Sequence, residues 1–138
     1  MAVDQDQAVG GLGSEAASEL KLLLDALALD LRLSDDDLGH IFSEPPMRIA
    51  SWRNKEDYPC SEQDQHQLTE VASQVILIYR QIQSTFRTWE AAQRWLRRQS
   101  AYLQGSEPRN STPLDALRSQ RFPRVSGALE AIRSGMLV

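Results

Sequence analysis

Few residues of this chain are suited to covalent or metal chemistry. The two histidines, His40 and His66, fall on different predicted helices, and neither belongs to a set of ligands spaced for zinc. His40 has Glu44 four residues on, which reads as a single exposed ion pair. Ser34 is followed by Asp35, Asp36 and Asp37, but the glycine and distal glutamate of a calcium loop are missing, so these four residues read as a helix start. Cys60, the only cysteine, has no base beside it to make it a nucleophile and no partner for an intramolecular disulfide. There is no glycine-rich phosphate loop. The expectation is a protein that is not an enzyme, with no catalytic residue, no metal ligand and no cofactor.

Residues 33–55 suit recognition instead. Two short helices joined by a tight turn can set the second in a DNA major groove, where Arg and Asn read base edges and Ser or Lys meets phosphate. Arg48, Ser51, Arg53, Asn54 and Lys55 are predicted to face outward from that second helix and are the candidate DNA contacts. Two features run against this assignment. Glu44, Pro45 and Pro46 occupy the turn, where such motifs often carry glycine, and Asp35, Asp36 and Asp37 would lie near a polyanion. A plain three-helix packing unit explains the same pattern equally well.

At 138 residues and 41% hydrophobic, the chain is long enough for one helical domain or for two small units sharing an interface. Its net charge of -4 divides unevenly, with -8 on residues 1–46 and +4 on the remainder. The basic portion can meet nucleic acid locally or an acidic protein surface. No run approaches the roughly 18 apolar residues of a membrane span, and the N-terminus lacks the basic start and apolar run of a signal peptide. A cytoplasmic location with no membrane contact is expected.

The elements that must position these residues read as helices throughout. No segment alternates with a period of two, which predicts an all-α fold. Residues 1–13 read as a mobile tail, and Ser14 caps a first helix whose Leu20, Leu23, Leu24, Leu27 and Leu31 share one face. A second helix follows Ser34, with Leu38, Ile41 and Phe42 inward. Pro46 is preset to open a third, reaching about Asn54 with Ile49 and Trp52 inward. Ser61 caps the fourth and longest helix, to about Phe86. Its Leu68, Val71, Val75, Ile78 and Ile82 line one face, while Ile76, Leu77 and Tyr79 add a second. The first and fifth helices can cover one face through Leu24, Leu27, Trp89 and Trp95. Covering the other calls for a symmetric homodimer, which would also present paired helices to a palindromic DNA site. Thr88 caps the fifth helix, with Trp89, Ala92, Trp95 and Leu96 inward and Arg94, Arg97 and Arg98 outward. Residues 104–111 form a loop by composition. Thr112 and Pro113 open a sixth helix carrying Leu114 and Leu117. Pro123 opens a seventh, whose Val125, Ala128, Leu129 and Ile132 share a face and whose Gly135 is placed to end it in the left-handed conformation.

The order Trp95-Leu96, Gly105, Thr112-Pro113-Leu114-Asp115-Ala116-Leu117, Val125, Leu129, Gly135 resembles the toxin-binding domain of the Xre/MbcA/ParS antitoxins. The likeness covers residues 89–138, a little over a third of the chain. It implies an Xre-like helix-turn-helix unit over 14–60, a long central helix over 61–87 and a small helical toxin-binding domain over 88–138. It also implies a type II antitoxin. In that family the surface around the loop and final helix, together with the chain end, covers the active-site cleft of a RES-domain toxin, an NAD-using enzyme related to ADP-ribosyltransferases. The matching positions here are Gly105, Arg109, Arg121, Arg124, Arg133, Gly135, Met136, Leu137 and Val138. Trp95, Leu96, Leu114, Leu117, Val125 and Leu129 would form the platform beneath them. The loop over 105–112 is longer and more polar than the family pattern, so the cognate toxin is not identified by it. Met136, Leu137 and Val138 either fold back on the chain's own core or insert into the partner. By the same resemblance, the protein represses its own operon through residues 33–55. Two rivals stay open: a DNA-binding transcriptional regulator whose C-terminal domain only dimerises, and an adaptor that has lost DNA binding.

Overall fold

The computed structural model describes residues 18–54, 61–100 and 112–135. Within them every regular element is a helix, as an all-α fold requires: α1 (18–30), α2 (Asp35–Phe42), α3 (Pro46–Arg53), α4 (Glu62–Thr85), α5 (Trp89–Leu96), α6 (Pro113–Arg118) and α7 (Phe122–Arg133). The expected tail, the Ser14 cap, Lys55, Cys60, the 104–111 loop and Met136, Leu137 and Val138 lie outside the described residues.

Local chemistry starts and stops these helices. The side chains of Ser34, Ser61, Thr88 and Thr112 each accept from the backbone N–H three residues on, satisfying a donor with no partner inside the helix. At α2 the arrangement is reciprocal, because Asp37 Oδ2 accepts from the Ser34 N–H at 3.1 Å. Proline occupies the first turn of α3, α6 and α7, where a missing N–H costs nothing. Gly135 follows α7 with φ of 76°, the expected left-handed stop. Arg32, Ser43 and Gln120 take the same conformation after α1, α2 and α6, with φ of 56°, 58° and 59°. None is a glycine, so each needs its neighbours to hold it there.

The core is continuous across all seven helices. It joins Leu24 and Leu27 of α1, Leu38 and Ile41 of α2, Ile49 and Trp52 of α3, Ile78 and Ile82 of α4, Leu96 of α5, Leu117 of α6 and Val125 and Leu129 of α7. Helix α4 packs along α7, α2 packs on α3 and α6, and α6 packs on α5 and α7. The N-terminal helices therefore rest directly on the C-terminal ones. Tyr79 stacks on Trp89 with ring centroids 5.4 Å apart, and Phe86 meets Trp95 at the same separation, tying the exit of α4 to α5. No described helix is long and apolar enough to cross a membrane.

Candidate functional site

Helices α2 and α3 meet around a short turn that depends on one glycine. Ser43 closes α2 in the left-handed conformation, and the Glu44 N–H returns to the Gly39 carbonyl at 2.8 Å. A Cβ on Gly39 would lie 2.5 Å from the Glu44 carbonyl oxygen, so only glycine lets the turn come this close to α2. Pro45 and Pro46 then fix the entry to α3, where Pro45 is the N-cap. Ile49 and Trp52 anchor α3 inward as expected, leaving Met47, Arg48 and Asn54 exposed and Ser51 partly so. Arg48 reaches Glu44 at 3.5 Å. The Trp52 indole N–H is buried without an acceptor, a desolvation cost of about 1–3 kcal/mol to the α3 packing.

Arg53, expected to face outward, is turned back toward α1. Its Nε donates to Asp25 at 2.8 Å and its Nη1 donates to Asp35 at 3.0 Å. Those bonds hold the guanidinium more firmly protonated than usual, the Asp25 bond contributing most, then burial in opposition, then Asp35. Burial pushes the Asp25 carboxyl up, but hydrogen bonds from Lys21 and Arg53 outweigh it and hold the carboxyl below its ordinary range. Two carboxylates far from α3 in sequence cancel the expectation of a free base-reading arginine. Arg53 is a brace between α1, the start of α2 and the end of α3. The outward residues of α3 that remain from the expected set are Arg48, Ser51 and Asn54.

The C-terminal helices are bound to this unit by polar clamps. Arg118 at the end of α6 donates to Asp37 and, at 3.3 Å, to Asp36 in the first turn of α2. Burial would raise the Asp37 carboxyl, yet the Ser34 N–H, Arg118 and the Ser34 hydroxyl together pull it below its ordinary range. Gln120 ends α6 and donates from Nε2 to the Ile41 carbonyl at 2.9 Å. On α5, Gln93 Nε2 donates to the Asp30 carbonyl at 2.8 Å, and Arg97 Nη2 donates to the Leu31 and Arg32 carbonyls at 3.2 and 2.7 Å. Arg97 is thus exposed as expected but engaged at the negative end of α1, where a cation is stabilising. None of these clamps was visible in the sequence, because each joins residues more than sixty positions apart.

The matching toxin-contact positions that are described lie along α7. Arg121 is its N-cap, Arg124 stands in its first turn, and Arg133 is its last residue, within 3.6 Å of Glu130. Arg133 lies nine positions after Arg124, roughly 14 Å along the axis and about two and a half turns, so the two project from opposite sides of the helix instead of converging on one point. Beneath them Val125, Ala128, Leu129 and Ala131 are buried, while Ile132 is only partly covered. Gly105, Arg109, Met136, Leu137 and Val138 fall outside the described residues.

Each histidine lies beside one carboxylate among the described residues. His40 faces Asp36 at 3.9 Å, not Glu44, because the left-handed Ser43 takes Glu44 off the helix before it can reach the i+4 position. His66 faces Glu70 at 3.2 Å, a pairing not anticipated from the sequence. Among the described residues no group of three or more His, Cys, Asp or Glu side chains could hold a metal ion. Two open clefts of about 480 and 470 Å3 flank the α2–α3 turn and share Ser43, Glu44 and Gln120. Asp36 and Arg118 line the first, and Glu44 and Arg48 line the second beside Asp64, Gln67 and Glu70. No family model, no curated protein and no solved structure matches the chain.

Proposed function

We propose that this chain is a type II antitoxin that binds a RES-domain toxin through residues 88–138, occludes its NAD-using active site, and represses its own operon through residues 33–55. The observation that carries this reading is the build of α5, α6 and α7. The residues that create the family likeness are largely the ones that hold the platform together: Leu96, Leu117, Val125 and Leu129 are buried, Thr112 and Pro113 open α6, and Gly135 stops α7 at positive φ immediately before Met136. That division leaves the arginines of α7 out of the base-building role, as residues that contact a partner require. The three-residue turn between α2 and α3, together with exposed Arg48 and Asn54, supports the operator-binding part of the proposal.

The deciding experiment asks whether the adjacent reading frame encodes a RES-domain protein, pairs this chain with that product and follows NAD turnover. Full-length chain is expected to suppress turnover. Deleting residues 136–138 is expected to restore it while leaving helicity and thermal unfolding nearly unchanged. A truncated chain that still inhibits fully removes the chain end from the contact. A full-length chain with no effect on turnover overturns the antitoxin reading.

A further inference from the structure

Five large apolar side chains among the described residues are exposed, and four of them belong to α1 and α4: Leu22 (67%), Leu29 (78%), Ile76 (36%) and Leu77 (56%). The two helices run side by side in the same direction. Leu20 and Leu23 share a groove of about 230 Å3 with Leu68, Ala72 and Ile76, and further along the Tyr79 hydroxyl donates to Asp30 at 2.5 Å. Leu22 and Leu29 are seven residues apart and so lie on one stripe, and Leu29 stands level with Ile76 and Leu77. Of the two α4 faces read from the sequence, the one carrying Leu68, Val75, Ile78 and Ile82 is buried inside the chain, while Ile76 and Leu77 of the second stay exposed. Tyr79 is likewise engaged, by Asp30 and Trp89. What remains uncovered is the outer part of that second face, extended onto α1 by Leu22 and Leu29.

We infer that this α1–α4 face is covered by a second copy of the chain, packed about a two-fold axis with the helices antiparallel across the seam. Charge selects the occupant and the orientation. Glu19 at the beginning of described α1 and Arg80 toward the end of α4 are both exposed and have no ionic partner among the described residues. Because α1 and α4 run in parallel, these two charges lie at opposite ends of the face within one chain. An antiparallel two-fold contact brings Glu19 of each copy beside Arg80 of the other, while the leucines meet between them. The arrangement does not rest on the antitoxin reading. It does bear on α3, because the inner flank of α1 holds Arg53 through Asp25, so the seam fixes how far apart the two α3 helices stand.

Light scattering on the full chain at about 1–100 μM tests the inference. The expected mass is twice the 15.6 kDa of one chain. The double substitution Leu29→Lys/Leu77→Lys places charges at exposed positions, so unchanged far-UV circular dichroism with a monomer mass is the expected result. Loss of two apolar anchors corresponds to a dissociation constant raised by roughly a hundredfold or more. Glu19→Arg is expected to weaken the dimer, and Glu19→Arg/Arg80→Glu to restore it. A monomer throughout the wild-type titration, a dimer that survives the lysine pair, or a charge swap that fails to rescue each overturns the inference.

Discussion

Replacing Gly39 by alanine separates what helix propensity predicts from what the packed structure predicts. Gly39 lies inside α2, and glycine to alanine in a helix interior ordinarily stabilises by about 1 kcal/mol. Here the new methyl would meet the Glu44 carbonyl oxygen at 2.5 Å, whereas carbon and oxygen approach no closer than about 3.3 Å even in weak C–H···O contacts. The turn must retreat by roughly 0.8 Å. That movement stretches the bond from the Glu44 N–H to the Gly39 carbonyl from 2.8 Å to about 3.6 Å, beyond hydrogen-bond range. Pro45 and Pro46 follow directly and cannot absorb the shift by rotating φ. A lost hydrogen bond of about 1 kcal/mol and overpacking of about 1–3 kcal/mol outweigh the propensity gain, so the variant is expected to be less stable by about 1–3 kcal/mol. Urea unfolding followed at 222 nm reads this as a lower midpoint with an unchanged slope. A variant as stable as the wild type, or more so, would refute the claim that the turn seats against α2 through this glycine.

The Asp37 clamp sets an acid dependence. Its carboxyl is held below the ordinary value of 3.8, so the contribution is fully present above that pH and is lost as pH falls through the folded-state value. Arg118→Ala is expected to cost about 1–2 kcal/mol at pH 7, since the Asp37 side chain is only 14% exposed, and the gap to wild type should narrow in unfolding curves taken below about pH 4. Tyr79 gives the alkaline counterpart. Burial first, and then the bond to Asp30, push its hydroxyl from 10.0 up to about 12, so its contribution is complete below pH 10 and disappears as pH rises toward 12. Tyr79→Phe is expected to remove that alkaline step while leaving the acid arm unchanged.

The helices were legible because their signals are local. Ser34, Ser61, Thr88 and Thr112 cap where serine or threonine precedes an apolar period, and Gly135 ends α7 three residues after Ile132, the last member of that helix's apolar face. Helix α4 runs to Thr85, one residue short of expectation, and α7 begins at Phe122, with Pro123 second. The candidate sites were less legible because their electrostatics are not local. Arg53 shares a face with outward residues by helical count, yet Asp25 lies 28 positions away and the sequence offers no rule that joins them. Gly39 reads as a weak point in a helix until the returning turn is in place. Leu22 and Leu29 stand off the regular Leu20, Leu24, Leu27 and Leu31 stripe, and only the packed helices show that Ile76 and Leu77 continue the surface they begin.

The polar clamps also carry a consequence for the order in which the chain can fold. The carbonyls that end α1 are satisfied by Gln93 and Arg97, and both ends of α2 are held by Arg118 and Gln120, so three early helix termini are completed by late residues. Arg118 lies 81 positions after Asp37. At a synthesis rate of roughly 5–20 residues per second, α2 emerges about 4–16 s before its partner. During that interval the first helices have their hydrophobic faces but not their fixed ends, and a chain arrested before residue 93 never acquires them. Native protection of α1 and α2 therefore reports on completed synthesis: a finished molecule resists hydrogen exchange and proteases at its N-terminal helices, and an arrested one exposes them to degradation.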